Sequence, residues 1–133
     1  MKQINNLVII DDDDIYLFLT KKAISESKIP VAITTFSNGK DAIEFLKSTC
    51  SIKELLPEVI FLDLTMPVMD GWDFLNEYRN IRPKLAKDIC IYVVSSSISP
   101  HDIERAKSFE MVTDYLIKPV TREMYTDIVS KLN

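Results

Sequence analysis

The sequence predicts an α/β domain built on an open five-stranded parallel sheet with helices wound over both faces. Three observations carry this. Leu7–Ile10, Val59–Leu62 and Ile89–Val94 are short, uninterrupted apolar runs rich in β-branched residues, the pattern of strands buried on both faces. Two weaker runs, Val31–Phe36 and Thr113–Ile117, have similar length. Between all five lie segments of helical length, and that alternation implies a doubly wound (βα)5 sheet with right-handed crossovers.

The elements follow in order. After Leu7–Ile10, Asp13 and Asp14 precede Ile15-Tyr16-Leu17-Phe18-Leu19. Acids there satisfy open N–H groups and suit the positive end of a helix, so capping accounts for these two. Burial against the sheet is the default for the apolar run, with one or two residues left exposed. Val31–Phe36 is followed by Ser37 or Asn38 as a cap, then by Ala42, Ile43, Phe45 and Leu46. After Val59–Leu62, Asp70 and Gly71 supply the turn and cap of a third helix, whose Trp72, Phe74 and Tyr78 read as core. The stretch Asn80–Lys87 reads as a polar connector. Ser99-Pro100 opens a fourth helix bearing Ile103, Ala106 and Phe109. Residues 122–132 place Met124, Tyr125, Ile128, Val129 and Leu132 at helical spacing.

Composition narrows the function. At 133 residues the chain fills one domain, and 47% apolar against 27% charged residues is a globular balance. Twenty acids against 16 bases, with no basic block, leave no nucleic-acid footprint. No apolar run is long enough to span a bilayer, and the N-terminus lacks the apolar stretch of a signal peptide. Cys50 and Cys90 cannot form a disulfide framework and suit a reducing compartment, so the expected location is cytoplasmic. Gly39 and Gly71 are the only glycines, which excludes glycine-rich phosphate loops. The single histidine, His101, reads as a surface residue.

In open parallel sheets, ligands bind at the carboxyl ends of the strands. Asp11 to Asp14 follow the first strand, Asp63 ends the third, Ser95-Ser96-Ser97 ends the fourth, and Lys118-Pro119 ends the fifth. Crowded carboxylates repel one another unless a cation neutralises them. Mg²⁺ takes oxygen ligands, typically one or two carboxylates together with phosphate. A lysine and a hydroxyl beside it would hold phosphoryl oxygens, leaving Asp63 as nucleophile.

The runs Ile9-Ile10-Asp11-Asp12-Asp13, Phe61-Leu62-Asp63-Leu64-Thr65-Met66-Pro67-Val68-Met69-Asp70-Gly71, Val93-Val94-Ser95-Ser96 and Tyr115-Leu116-Ile117-Lys118-Pro119 resemble the receiver domain of two-component response regulators. The resemblance covers about Leu7 to Leu132. It implies a flavodoxin-like strand order of 2-1-3-4-5 and a phosphorelay role with Asp63 as phosphoacceptor. It implies Mg²⁺ bound by Asp12 directly, by Asp11 mostly through water, by Asp63, and by the backbone carbonyl of Thr65. Ser95 resembles the switch hydroxyl, Lys118 the phosphate-binding lysine, and Tyr115 the switch aromatic, which would turn inward as Ser95 moves. Thr65 and Ser97 would tune the lifetime of the phosphoryl group, and the Lys118–Pro119 peptide bond is expected to be cis.

The implied donor is a sensor histidine kinase or a histidine phosphotransfer protein, docking near Ile15 to Leu19. The implied output is a downstream protein or a second copy, bound on a face of the fourth helix, fifth strand and fifth helix that includes Ile103, Lys107, Tyr115 and Met124. Residues 1–133 are expected to be one receiver domain without an output domain, a phosphoacceptor switch rather than a turnover enzyme. There are departures from the family pattern. Four aspartates stand where two are needed, Ser96 replaces a usual alanine, and Ser108–Val112 lacks a common glycine. A phosphatase of the haloacid-dehalogenase type would need a second aspartate where Thr65 stands. A flavin site would need a hydroxyl- and glycine-rich loop after the first strand. A receiver-like module that never accepts phosphate sits poorly with the intact set Asp11, Asp12, Asp63, Ser95 and Lys118.

Overall fold

The computed structural model describes residues 5–66 and 68–132; residues 1–4, Pro67, Asn133 and the side chain of Leu132 lie outside the described residues. Strands β1 (Asn6–Ile10), β2 (Ala32–Phe36), β3 (Val59–Asp63), β4 (Cys90–Ser95) and β5 (Val112–Ile117) alternate with helices α1 (Asp14–Glu26), α2 (Gly39–Thr49), α3 (Gly71–Ile81), α4 (Pro100–Lys107) and α5 (Arg122–Leu132). Every neighbouring pair is parallel, and the order is β2-β1-β3-β4-β5. This is the flavodoxin-like sheet. Central β3 is buried along its whole length, whereas edge strands β2 and β5 are partly exposed. An edge strand needs fewer apolar residues, which is why those two runs are weak in the sequence.

Alternation along the strands divides the core in two. Val8, Ile10, Ile60, Leu62, Ile91 and Val93 face α2, α3 and α4. Leu7, Ile9, Val59, Phe61 and Leu116 face α1 and α5, where Phe61 meets the edge of Tyr125 at 5.0 Å between ring centroids. The helices begin where the sequence provides acceptors: the side chains of Asp13, Asn38, Asp70 and Ser99 each accept a first-turn N–H.

Four local expectations are revised. Ile15, Phe18 and Leu19 are all exposed, at 73%, 65% and 55%. Five apolar residues in succession surround a helix, and only one stripe of it can meet the sheet. Asn80–Lys87 is not simply a connector: α3 runs to buried Ile81, and a 3-10 turn follows over Arg82–Lys84. The end of α4 needs no glycine, because Ser108 stays right-handed and gives its N–H to Glu104 and Arg105. Trp72 is only half-buried, with the Arg105 guanidinium 4.1 Å above its ring.

At the amino edge of the sheet, Glu58 ties three strands together. Its carboxylate accepts the backbone N–H groups of Asn5 and Asn6 at 2.6 and 2.8 Å, and it pairs with Lys87, just before β4. Burial alone would raise the Glu58 pKa, but Lys87 and the two N–H groups outweigh it and lower it. A carboxyl with a lowered folded pKa stabilises above its unfolded value and loses that contribution as pH falls through the folded one. Glu58→Ala is therefore expected to cost about 1–2 kcal/mol at pH 7. Thermal melts of both proteins should begin to approach each other as pH falls below the ordinary glutamate range and converge only at more acid pH.

Candidate functional site

Parallel register brings the polar strand ends to one edge. Ile10 pairs with Leu62, so Asp11 stands beside Asp63, and Ser95 pairs with Ile117, which places Lys118 next. The β4–β5 register shifts between Ile91 and Tyr92, where Thr113 is skipped. Such a bulge exchanges the faces of the sheet to which the residues after it point. Downstream of it, Tyr115 and Leu116 are buried and Lys118 reaches the acidic cluster.

One carboxylate oxygen each from Asp11, Asp12 and Asp63 lies within 4.8 Å of the others. Asp11 and Asp63 are buried and Asp12 is exposed at the rim. The Lys118 ammonium donates to Asp11 Oδ2 at 2.9 Å and to Asp63 Oδ1 at 3.4 Å, and it lies 4.2 Å from the centroid of the Tyr16 ring. The other oxygen of Asp11 accepts the N–H of Asp13 at 2.9 Å. Burial, and then the Asp11 carboxylate, push the Asp63 carboxyl up to about 6 against the pull of Lys118. Burial opposes charge on Lys118 as well, but the Asp11 hydrogen bond and the Asp63 charge outweigh it and raise its pKa. Three hard oxygen donors so close together are chemically suited to a small divalent cation.

The loop after Asp63 is held tightly. Gly71 donates its N–H to the Leu64 carbonyl at 2.9 Å, and a Cβ there would stand 2.5 Å from the Asp63 carbonyl oxygen. Only glycine allows that approach. Thr65 is exposed within the loop, and Val68 takes a left-handed φ of 68°, a strained conformation for a β-branched residue. The Lys118–Pro119 bond is cis.

Ser97 is the hub of the loop after β4. Its N–H donates to the buried Ser95 hydroxyl at 3.1 Å, its carbonyl accepts the Tyr115 hydroxyl at 2.9 Å, and its own hydroxyl donates to Asp102 at 2.7 Å. Tyr115 is thus already inside, which corrects the expectation of an outward ring waiting to turn in. Its ring packs into the core layer of α2, α3 and α4, and the Ser97 carbonyl offers its hydroxyl a partner there. The Ser97 hydroxyl is committed to α4. Two residues in these networks carried no sequence signal for their contacts. Tyr16 is one apolar letter among five, and Asp102 reads as an ordinary first-turn acid. The Ser-x-x-Asp spacing from Ser99 could have pointed to a cap, though not to the bond with Ser97.

A family model described as response regulator receiver domain matches residues 7–130. Chemotaxis protein CheY of Thermotoga maritima is 24% identical over 96% of this chain and 96% of its own length. A probable methanogenesis regulatory protein, FilR2, of Methanothrix harundinacea is 28% identical over 88% of this chain and 74% of its own. The sensor histidine kinase CheAY of Helicobacter pylori is 29% identical over 92% of this chain, which spans only 14% of that protein. Among solved structures, a two-component response regulator from Cytophaga hutchinsonii superposes with a TM-score of 0.86 at 26% identity, covering 98% of each chain.

A carboxyl with a raised folded pKa holds its proton in the folded state between about pH 4 and 6, where the unfolded chain has lost it. The metal-free protein should therefore lose stability as pH rises through that window. Asp63→Asn removes the buried charge. In chelated buffer at pH 7.5 this variant is expected to melt a few degrees above the parent, about 1 kcal/mol after allowance for solvent screening. The difference should shrink steadily below pH 6 and close only below about pH 4 in paired thermal melts.

Proposed function

This chain belongs to the response regulator receiver family, whose domains act in phosphorelay signalling, and from that premise we propose that it is a phosphoryl-accepting switch with Asp63 as the acceptor. The observation that carries this is the cluster of Asp11, Asp12 and Asp63 with one ammonium, Lys118, bonded to two of them. A carboxyl with a pKa of about 6 is deprotonated at neutral pH and available as a nucleophile.

Transfer forms a bond between an Asp63 carboxylate oxygen and phosphorus as the bond from phosphorus to the donor breaks. With a phosphohistidine donor, the leaving group is the imidazole nitrogen. Lys118 holds a phosphoryl oxygen from one side by a charge-assisted hydrogen bond. Asp11, Asp12, Asp63 and the Thr65 carbonyl would hold Mg²⁺, with Asp11 acting mostly through water. When bound, the ion neutralises charge on the carboxylates and on the phosphoryl oxygens.

The donor is a sensor histidine kinase or a histidine phosphotransfer protein. Exposed Ile15, Phe18 and Leu19 on α1 support a docking face beside the cluster, since apolar side chains of that size are seldom left bare together. The output is read on the α4–β5–α5 face by a downstream protein or a second copy. The Ser97 hub supports that direction. If the Ser95 hydroxyl turns to a phosphoryl oxygen, the Ser97 N–H loses its acceptor, and the segment that holds both Tyr115 and the start of α4 must adjust. Ser97 then tunes phosphoryl lifetime through the loop, since its hydroxyl is engaged by Asp102, while exposed Thr65 has the more direct access.

Incubation with acetyl phosphate and Mg²⁺ is expected to add the mass of one phosphoryl group to the intact protein, with none on Asp63→Asn. Asp12→Asn should slow labelling by about tenfold or more. Ser95→Ala should still be labelled, but the amide shifts that beryllofluoride with Mg²⁺ produces at Tyr115 and α4 should shrink. Full labelling of Asp63→Asn would move the acceptor to another residue.

A further inference from the structure

We propose that Tyr16 is a positioning residue for Lys118, its ring face holding the ammonium over the Asp11–Asp63 pair. The inference rests on the phosphoacceptor reading above. Lysine carries its charge on a flexible four-carbon stem that can place the ammonium in many positions. The ammonium lies 4.2 Å from the centroid of Tyr16, within the range of a cation–π attraction. A ring face attracts a cation through its quadrupole without accepting a strong hydrogen bond. The donors of the ammonium thus stay with Asp11 and Asp63, and with whatever oxygen replaces them when Asp63 carries phosphate. A third carboxylate in place of the ring would compete for those donors. With no ring, only the two carboxylates hold the ammonium, and it spends more of its time toward water.

The ring itself is well held. The Tyr16 hydroxyl meets the Tyr125 hydroxyl at 2.8 Å, and Tyr125 is buried on α5 against Phe61. At the backbone, the N–H of Tyr16 donates to the Asp13 carboxylate at 3.1 Å, and the Asp13 N–H donates to Asp11 at 2.9 Å. The turn that shapes the acidic pair therefore also sets the position of the aromatic, and α5 fixes its far end.

The test compares the full-length parent with Tyr16→Phe, which keeps the ring, and Tyr16→Leu, which removes it. Two readouts are taken: the rate of labelling by acetyl phosphate with Mg²⁺, followed by intact mass, and the NMR shift of the Lys118 ε-methylene protons. Tyr16→Phe should label within about twofold of the parent and Tyr16→Leu about three- to fivefold more slowly, the worth of an exposed-to-partly-buried cation–π contact. The Lys118 ε-protons should be ring-shifted upfield in the parent and Tyr16→Phe but not in Tyr16→Leu. If Tyr16→Leu melts far below the others, Tyr16→Met, a flexible apolar residue of closer length, takes its place. Equal rates in all variants, or equal slowing by Phe and Leu, would overturn the inference, as would an absent upfield shift in the parent. Failure of the parent to label would instead overturn the phosphoacceptor reading, with the Lys118 shift still deciding whether Tyr16 holds the ammonium.

Discussion

Two buried carboxylates, Asp11 and Asp63, must share one ammonium, and most of the surrounding structure follows from that requirement. Like charges this close in a partly dry site disfavour each other's ionisation. Burial first, and then the Asp11 charge, raise the Asp63 pKa, and the rise at Lys118 records the gain for a cation held by both carboxylates. The arrangement is one positive charge short of balance. That shortfall suits the site to a hard cation, and it makes the carboxylates poor contributors to stability on their own.

Meeting the requirement takes a scaffold that ends its strands together. Parallel pairing places Asp11 beside Asp63 with no special local geometry. Lys118 is different, because it comes from the strand that is two positions away from β3, across β4. Past the bulge at Thr113, Tyr115 packs into the core layer of α2, α3 and α4 and Leu116 into that of α1 and α5, while Lys118, just beyond the strand end, reaches across to the acids. The apolar layers on both faces make this edge stiff, since close-packed cores resist small displacements. Stability is supplied elsewhere, in part by the Glu58 clamp at the opposite edge.

Around that stiff edge, the loops differ in freedom. The turn after β3 is pinned by Gly71, packed against the Asp63 backbone. The turn after β4 hangs on hydrogen bonds that converge on Ser97, each individually modest. A change at Ser95 therefore reaches Tyr115 and α4 more cheaply than it reaches α3. The loop after β4 is thus the more adjustable of the two.

Much of this was legible in the sequence for a physical reason. Strand burial on both faces forces uninterrupted β-branched runs, and helix starts need specific acceptors, so the strand cores and caps are written locally at Leu7–Ile10, Val59–Leu62, Asp13, Asn38, Asp70 and Ser99. The strand-end acids, Ser95 and Lys118 were legible because parallel topology alone brings them to one edge. What the sequence could not express were contacts between segments far apart in the chain. Tyr16 against Lys118, Ser97 against Tyr115, and the exposed side of α1 depend on helix rotation and side-chain direction, which packing settles. The bulge at Thr113 likewise leaves no mark in composition or periodicity, because a single extra residue in an edge strand costs little locally. Local propensity and topology thus determined which groups reach the edge, and tertiary packing decided which of them touch.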